Sequence, residues 1–228
     1  MFTIFDALVS GAYYLVMGLT SALTPVMGGL SAAVAIVAFT ACVRLALHPL
    51  SRRQAAAGRV RQALAPKVSE LRDRHRDDPV KAYGEVNALY RDSGTSAFAG
   101  IGAGLLQLPF FSVVYRLFLS PAVGGHANLL LTHALFGVPL GARWLFSAAA
   151  FGPHGLVFLC LFVLLAAVAW WSSRLTPRTP GALGVVMRVL PFGTIAAAAY
   201  LPLAAGLYLL TTTAWSAAER GLLWGRPA

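Results

Sequence analysis

Residues Val34–Ser51, VAIVAFTACVRLALHPLS, form an apolar helical stretch with a single arginine, Arg44, set about two turns inside its end. A guanidinium keeps its charge at physiological pH. Near the middle of a membrane helix it costs roughly 2.5–3.5 kcal/mol on insertion scales. Two readings compensate that cost. Arg44 can snorkel, since roughly 10 Å of helix rise separates it from the basic segment that begins at Arg52. Alternatively, it is the fixed positive charge of a water-filled pocket that opens toward that basic side.

Composition places this helix in a bilayer. Of the 228 residues, 58% are hydrophobic and 11% charged, and the mean hydropathy is +0.70, which argues against a soluble protein. The net charge of +10 invites a nucleic-acid reading. However, the basic residues concentrate in one segment and otherwise punctuate apolar spans, so they report topology and no nucleic-acid partner is expected. Cys42 and Cys160 are too few for a disulfide framework, and both fall inside apolar runs where they act as small hydrophobes. Met1–Ser10 lacks a positive n-region and carries Asp6, so no cleavable signal peptide is expected.

Along the chain, Phe2, Phe5, Val9, Ala12, Val16, Leu19 and Leu23 recur at helical spacing, with Asp6, Ser10 and Tyr14 largely opposite. Residues 1–24 therefore read as an amphipathic helix lying in the membrane interface, with a full span as the alternative. Thr24-Pro25 supplies a cap and a first-turn proline for a first core span over residues 27–50. Residues 51–96 then carry ten basic and six acidic side chains and no long apolar run. Val60, Leu64, Val68 and Leu71 repeat at helical spacing before Asp77-Asp78-Pro79, and Val80, Tyr83, Val86, Leu89 and Tyr90 repeat after it. An N-cap followed by proline between two such patterns predicts a water-exposed hairpin of two helices.

Residues 97–224 hold four further spans. The first, Phe98–Leu119, contains Gln107 and Pro109, and its spaced glycines suit close helix packing rather than a dinucleotide loop. A link over Ser120–Pro153 follows, with His126 and His133 unaccompanied by further ligand types, so no metal site and no cofactor are expected. His154–Trp171 is the next span, and Val189–Leu201 and Leu203–Trp215 form two closely linked helices that turn at Leu201-Pro202-Leu203. Residues 225–228 are a short tail. Segments 51–96, 172–188 and 219–228 hold nearly all the Lys and Arg outside the spans, which makes them cytoplasmic. The expected protein is thus an all-α integral membrane protein with a five-helix core, its carboxyl terminus cytoplasmic and its amino terminus outside.

Three blocks in this order resemble the YidC/Oxa/Alb family of membrane protein insertases: VRLALHPLSRRQ at Val43–Gln54; DDPVKAYGEVNALYRDSG at Asp77–Gly94 followed by LLQLPFFSVVYRLF at Leu105–Phe118; and VLPFGTIAAAAYLPLAAGLYLLTTTAW at Val189–Trp215. The resemblance covers about Phe39–Trp224, with departures at Ser96-Ala97, Gly104 and Thr212-Thr213. It implies a bacterial plasma membrane location and a hydrophilic groove, open to the cytoplasm and to lipid, that admits the polar segment of an incoming membrane protein without nucleotide hydrolysis. On that reading Arg44 and Gln107 line the groove, with Thr40, Tyr208, Thr212 and Trp215 as further wall candidates. The hairpin residues Arg52, Arg53, Arg59, Arg61 and Lys67 would recruit substrate. Nascent membrane proteins are the implied partners, and anionic lipids, a Sec-type translocon and the ribosome are further candidates.

Other classes fit less well. A small-solute transporter would share the intramembrane arginine, but the two halves of the chain show no inverted repeat. An assembly scaffold without insertion activity fits the glycine-rich second span. An enzyme lacks a nucleophile, base and acid grouped on one side of the membrane.

Overall fold

The computed structural model describes residues 2–94, 113–114, 116–146, 152, 155–176 and 182–224. The chain divides into two compact units, Met1–Ala46 with Phe111–Ala228, and Leu47–Phe110. The described residues are mostly helical.

In the first unit, α1 spans Phe2–Met27 and buries a stripe of Val9, Ala12, Val16 and Thr20. Thr20 is tolerated there because its hydroxyl donates to the Val16 carbonyl at 2.8 Å. The helix break differs from the one expected at Thr24-Pro25. Pro25 sits inside α1, and the chain turns instead at Gly28 (φ +51°) through a 3-10 turn, Gly28–Leu30. Proline in a helix removes one hydrogen bond, whereas a left-handed residue ends the helix outright, and glycine enters that region without a Cβ penalty. α2, Ser31–Arg74, then runs 44 residues without interruption past the expected end at Leu50, with Pro49 and Pro66 inside it. The Arg, Gln and Ala residues that follow Ser51 are strong helix formers, and none of them forces a stop.

The remainder of the first unit contains α4, Gly155–Leu175; α5, Ala182–Val189; a 3-10 turn at Leu190–Phe192; α6, Gly193–Tyr200; and α7, Leu203–Trp224. α4 and α7 extend beyond their expected ends at Trp171 and Trp215. They pack closely because Gly206 leaves no side chain at the crossing: a Cβ there would lie 2.6 Å from Leu161 Cδ2. Phe158, Leu161, Leu165 and Ala169 form the buried stripe of α4, while Leu156, Leu159, Val163 and Leu164 on its other faces are more than half exposed. A helix apolar on every side requires an apolar surrounding. Both α4 and the helical region from Asp6 onward are long and apolar enough to cross a membrane, and the shorter apolar helix Gly184–Tyr200 adds to them.

The link between the second and third expected spans is not plain loop. Ala122–Val123 (β1) pairs antiparallel with His126–Ala127 (β2), and Ala134–Leu135 (β3) with Val138–Pro139 (β4). Each ribbon turns through two residues of positive φ, Gly124-Gly125 and Phe136-Gly137, the signature of a type I′ hairpin. Asn128, 4% exposed, anchors the segment by donating from Nδ2 to the Leu117 carbonyl at 2.8 Å and to the Ser120 carbonyl at 3.1 Å. Downstream, the Leu203 and Ala204 N–H groups donate to the Ala142 and Leu140 carbonyls, both at 2.9 Å. The link thus caps the first turn of α7, whose N–H groups have no partners within the helix.

The second unit holds the carboxyl-terminal part of α2 and a further helix. α3, Pro79–Asp92, starts at an Asp78 N-cap that accepts from the Lys81 N–H at 3.0 Å, with proline in the first turn. Val68, Ala82 and Val86 are buried, and His75 Nε2 meets Glu85 Oε2 at 3.1 Å. Val80 and Tyr83, expected on the apolar face of α3, are 83% and 55% exposed. The buried face of α3 is carried by Val86, one of the expected residues, and by Ala82 one turn before it.

Candidate functional site

Helical periodicity sorts the candidate residues onto two faces. On α2, Ala32, Ala33, Ile36 and Thr40 form a buried stripe that Arg44 continues one turn further on. Thr40 is 2% exposed and donates its hydroxyl to the Ile36 carbonyl at 2.7 Å, so its proton is already committed. Arg44 is half-buried, and its Nε is buried with no hydrogen-bond partner among the described residues. A buried N–H on a charged group is costly when left unsatisfied, about 1–3 kcal/mol or more. Arg44 therefore needs an acceptor from beyond the described residues.

On α7, Tyr208, Thr212 and Trp215 are spaced by four and three residues and share a second face. Tyr208 is a packed residue, 5% exposed, with its ring 5.9 Å from that of Phe118. Thr212 is the exception among three consecutive threonines. Thr211 and Thr213 donate to the carbonyls of Leu207 and Leu209 at 2.8 and 2.7 Å, whereas Thr212 Oγ1 is buried and unpartnered among the described residues. Trp215 Nε1 is in the same condition. Thr212 and Trp215 thus place an unmet hydroxyl and an unmet N–H on one face.

Gln107 lies outside the described residues, so the structure places five of the six groove candidates. In the hairpin unit Arg52, Arg53, Arg59 and Lys67 are exposed, and Arg61 is half-buried with Nε and Nη2 lacking partners among the described residues. No group of three or more His, Cys, Asp or Glu side chains comes together among the described residues.

Sequence reasoning missed two pairings. Asp6 on α1 forms an ion pair with Arg116, linking residues 110 positions apart. Arg220 on α7 donates from Nη2 to Ser172 Oγ at 2.6 Å and from Nε to the Ser216 carbonyl at 3.2 Å. Arg116 was visible as a lone charge near the end of a span and Arg220 beside Glu219 beyond one, and only the packing of the helices identifies their partners.

Apolar helices with lipid-compatible outer faces and buried polar atoms on inner ones define a helical integral membrane protein. The profile of the 60Kd inner membrane protein family matches residues 22–224, and the chain belongs to that family. It is similar to the membrane protein insertase YidC of Acidiphilium cryptum, at 33% identity over 64% of this chain and 26% of that protein. It is also similar to the YidC of Chlorobium limicola, at 24% identity over 81% and 32%, and to the inner membrane ALBINO3-like protein 2 of Chlamydomonas reinhardtii, at 30% over 69% and 39%. The chain spans about a quarter to two fifths of the length of these relatives.

Proposed function

We propose that this protein is a membrane protein insertase: it lowers the barrier for the polar segment of an incoming single- or double-spanning protein, whose own apolar helix then partitions into lipid. The observation that carries the reading is the Arg44 guanidinium, with a buried Nε that finds no partner among the described residues of a chain belonging to this family. Relatives named as insertases support it.

The chemistry follows from the side chains. Arg44 attracts carboxylates of the polar segment, while Trp215 Nε1 donates and Thr212 Oγ1 both donates and accepts. Tyr208, held against Phe118, shapes the wall, and Thr40 leaves only an acceptor lone pair. Gln107 belongs with these residues by the family resemblance. The driving force is burial of roughly 20 apolar substrate residues, which makes nucleotide hydrolysis unnecessary. The basic hairpin, led by Arg52, Arg53 and Lys67, meets the substrate on the cytoplasmic side. The topology on this reading is five spans, the amino terminus outside and the carboxyl terminus in the cytoplasm, because segments 51–96 and 172–188 are basic.

The test is insertion of a single-span substrate with an acidic outer tail into liposomes holding only this protein, read as protection of the tail from added protease. Wild type should exceed empty liposomes, and Arg44→Ala should lose the acidic substrate while keeping a neutral one. A wild-type signal equal to that of empty liposomes refutes autonomous insertion and favours an assembly scaffold.

A further inference from the structure

α7 also has a side that meets α4, the side of Gly206. Thr213 and Arg220, seven residues apart, lie roughly a third of a turn round the helix from Tyr208, Thr212 and Trp215. They border a cavity of about 400 Å³ that α4, the Leu190–Phe192 turn and α6 complete. Its two ends differ in chemistry. At one end are Arg220, Ser172 and Thr176; roughly 10 Å further along α7 the walls are Thr213 with the apolar Val168 and Leu190. Leu190 is 72% exposed, so the apolar end opens sideways to the surroundings of the helices. Arg174, stacked 4.7 Å over the Trp170 ring, marks the same end of α4 as a membrane boundary.

From this arrangement we infer that the cavity binds an anionic phospholipid, its phosphodiester at Arg220 and Ser172 and its glycerol and first acyl carbons along Val168 and Leu190. The donors are available. Bonds to Ser172 Oγ and the Ser216 carbonyl use two of the five guanidinium N–H groups, leaving the outer edge of the fork to a phosphate oxygen. Ser172 accepts from Arg220, and its hydroxyl carries one proton of its own. Thr176 and Thr213 have donated to the Ser172 and Leu209 carbonyls and offer lone pairs only. No carboxylate stands among the described residues lining the cavity, so it offers nothing to a headgroup cation and favours an anionic over a zwitterionic headgroup. The inference requires only that the helices lie in a membrane and is independent of insertion activity.

The experiment is titration of the purified full chain, in neutral detergent, with phosphatidylglycerol, phosphatidylcholine or inorganic phosphate, with bound lipid counted by native mass spectrometry. Wild type should retain phosphatidylglycerol in preference to phosphatidylcholine. Arg220→Gln should weaken that binding roughly ten- to hundredfold, the loss of one charge-assisted pair, while Arg174→Gln stays within about twofold. Unchanged binding by a folded Arg220→Gln overturns the inference, as does an equal loss in Arg174→Gln, which would indicate a diffuse basic surface. Inorganic phosphate competing as well as the lipid would mean a soluble-anion site and also overturns it. If Arg220→Gln does not fold, Ser172→Ala decides, because it keeps the guanidinium and removes one donor: unchanged affinity refutes the site.

Discussion

Replacing Arg44 by leucine should move stability and activity in opposite directions. The side chain is half-buried in an apolar stripe, and its Nε has no acceptor among the described residues. On insertion scales an arginine at mid-span costs roughly 2.5–3.5 kcal/mol, whereas leucine contributes about −0.3 to −0.6. Water reaching the exposed part of the guanidinium recovers some of that difference, so Arg44→Leu should stabilise the fold by about 1–3 kcal/mol. Activity should fall for acidic substrates. A carboxylate held about 4–5 Å from the guanidinium at an effective dielectric near 20 gains roughly 3–4 kcal/mol before its own desolvation. With that cost offset, a loss of about 2 kcal/mol, or some thirtyfold in insertion rate, remains.

Stability is read by thermal unfolding in detergent and activity by protease protection in liposomes, with Arg44→Lys as the charge-conserving variant. Lysine keeps the charge but not the planar fork, so it should fall between wild type and leucine with acidic substrates. A destabilised Arg44→Leu would refute the reasoning, because it would mean that the guanidinium holds a structural partner. Equal insertion of acidic and neutral substrates by Arg44→Leu would refute the groove charge separately.

Three other substitutions test the local contacts of the fold. Asn128→Ala removes the two carboxamide bonds to the Leu117 and Ser120 carbonyls and should cost about 2 kcal/mol, seen as a lower unfolding midpoint and faster exchange of the Leu203 and Ala204 amides. Asp78→Ala deletes the N-cap of α3 and should cost about 1 kcal/mol of hairpin stability, read as faster amide exchange confined to the first turn of α3. Gly206→Val drives a branched side chain toward Leu161, where a Cβ already meets Cδ2 at 2.6 Å; a loss of about 1–3 kcal/mol in thermal stability is expected, and an unchanged midpoint would show that α4 and α7 separate freely.

Where local chemistry decides an outcome, the sequence carried it. Asp78-Pro79 turns the hairpin and Leu201-Pro202 turns α6 into α7, because an N-cap, a proline and a helix start are local facts. The boundary at Gly28 was harder to read, since Thr24-Pro25 offers a competing signal and only the left-handed φ of Gly28 shows which one wins. The long α2 was hidden for the converse reason: the change from an apolar to a charged run after Leu50 suggests an end, and the helix formers beyond it carry the helix on. The two hairpins of the link consist of two-residue strands, below any periodicity a sequence can display, and one turns at Phe136, a residue rarely found at positive φ. In the candidate site, Arg44 stood out because charge in an apolar run is rare. The special condition of Thr212 did not, since three adjacent threonines look alike until the backbone claims the hydroxyls of two of them.

That distinction makes α7 testable as a helix with separate duties on separate faces. Gly206, Thr213 and Arg220, spaced by seven residues, lie on the side that meets α4 and the cavity, and Tyr208, Thr212 and Trp215 form the candidate groove wall. Thr212→Val removes a buried hydroxyl that has no partner among the described residues, so it should leave stability unchanged or raise it by up to about 1 kcal/mol, against the usual cost of deleting a bonded hydroxyl. The same change at Thr213, whose hydroxyl bonds the Leu209 carbonyl, is the control and should not stabilise. Thr212→Val should also slow insertion of polar substrates severalfold while lipid retention at Arg220 is untouched, and in the double variant with Arg220→Gln the two effects on stability should add within about 0.5 kcal/mol. Strong coupling between them would mean that the two faces share one water-filled space, and the groove and the lipid cavity would then have to be treated as a single site.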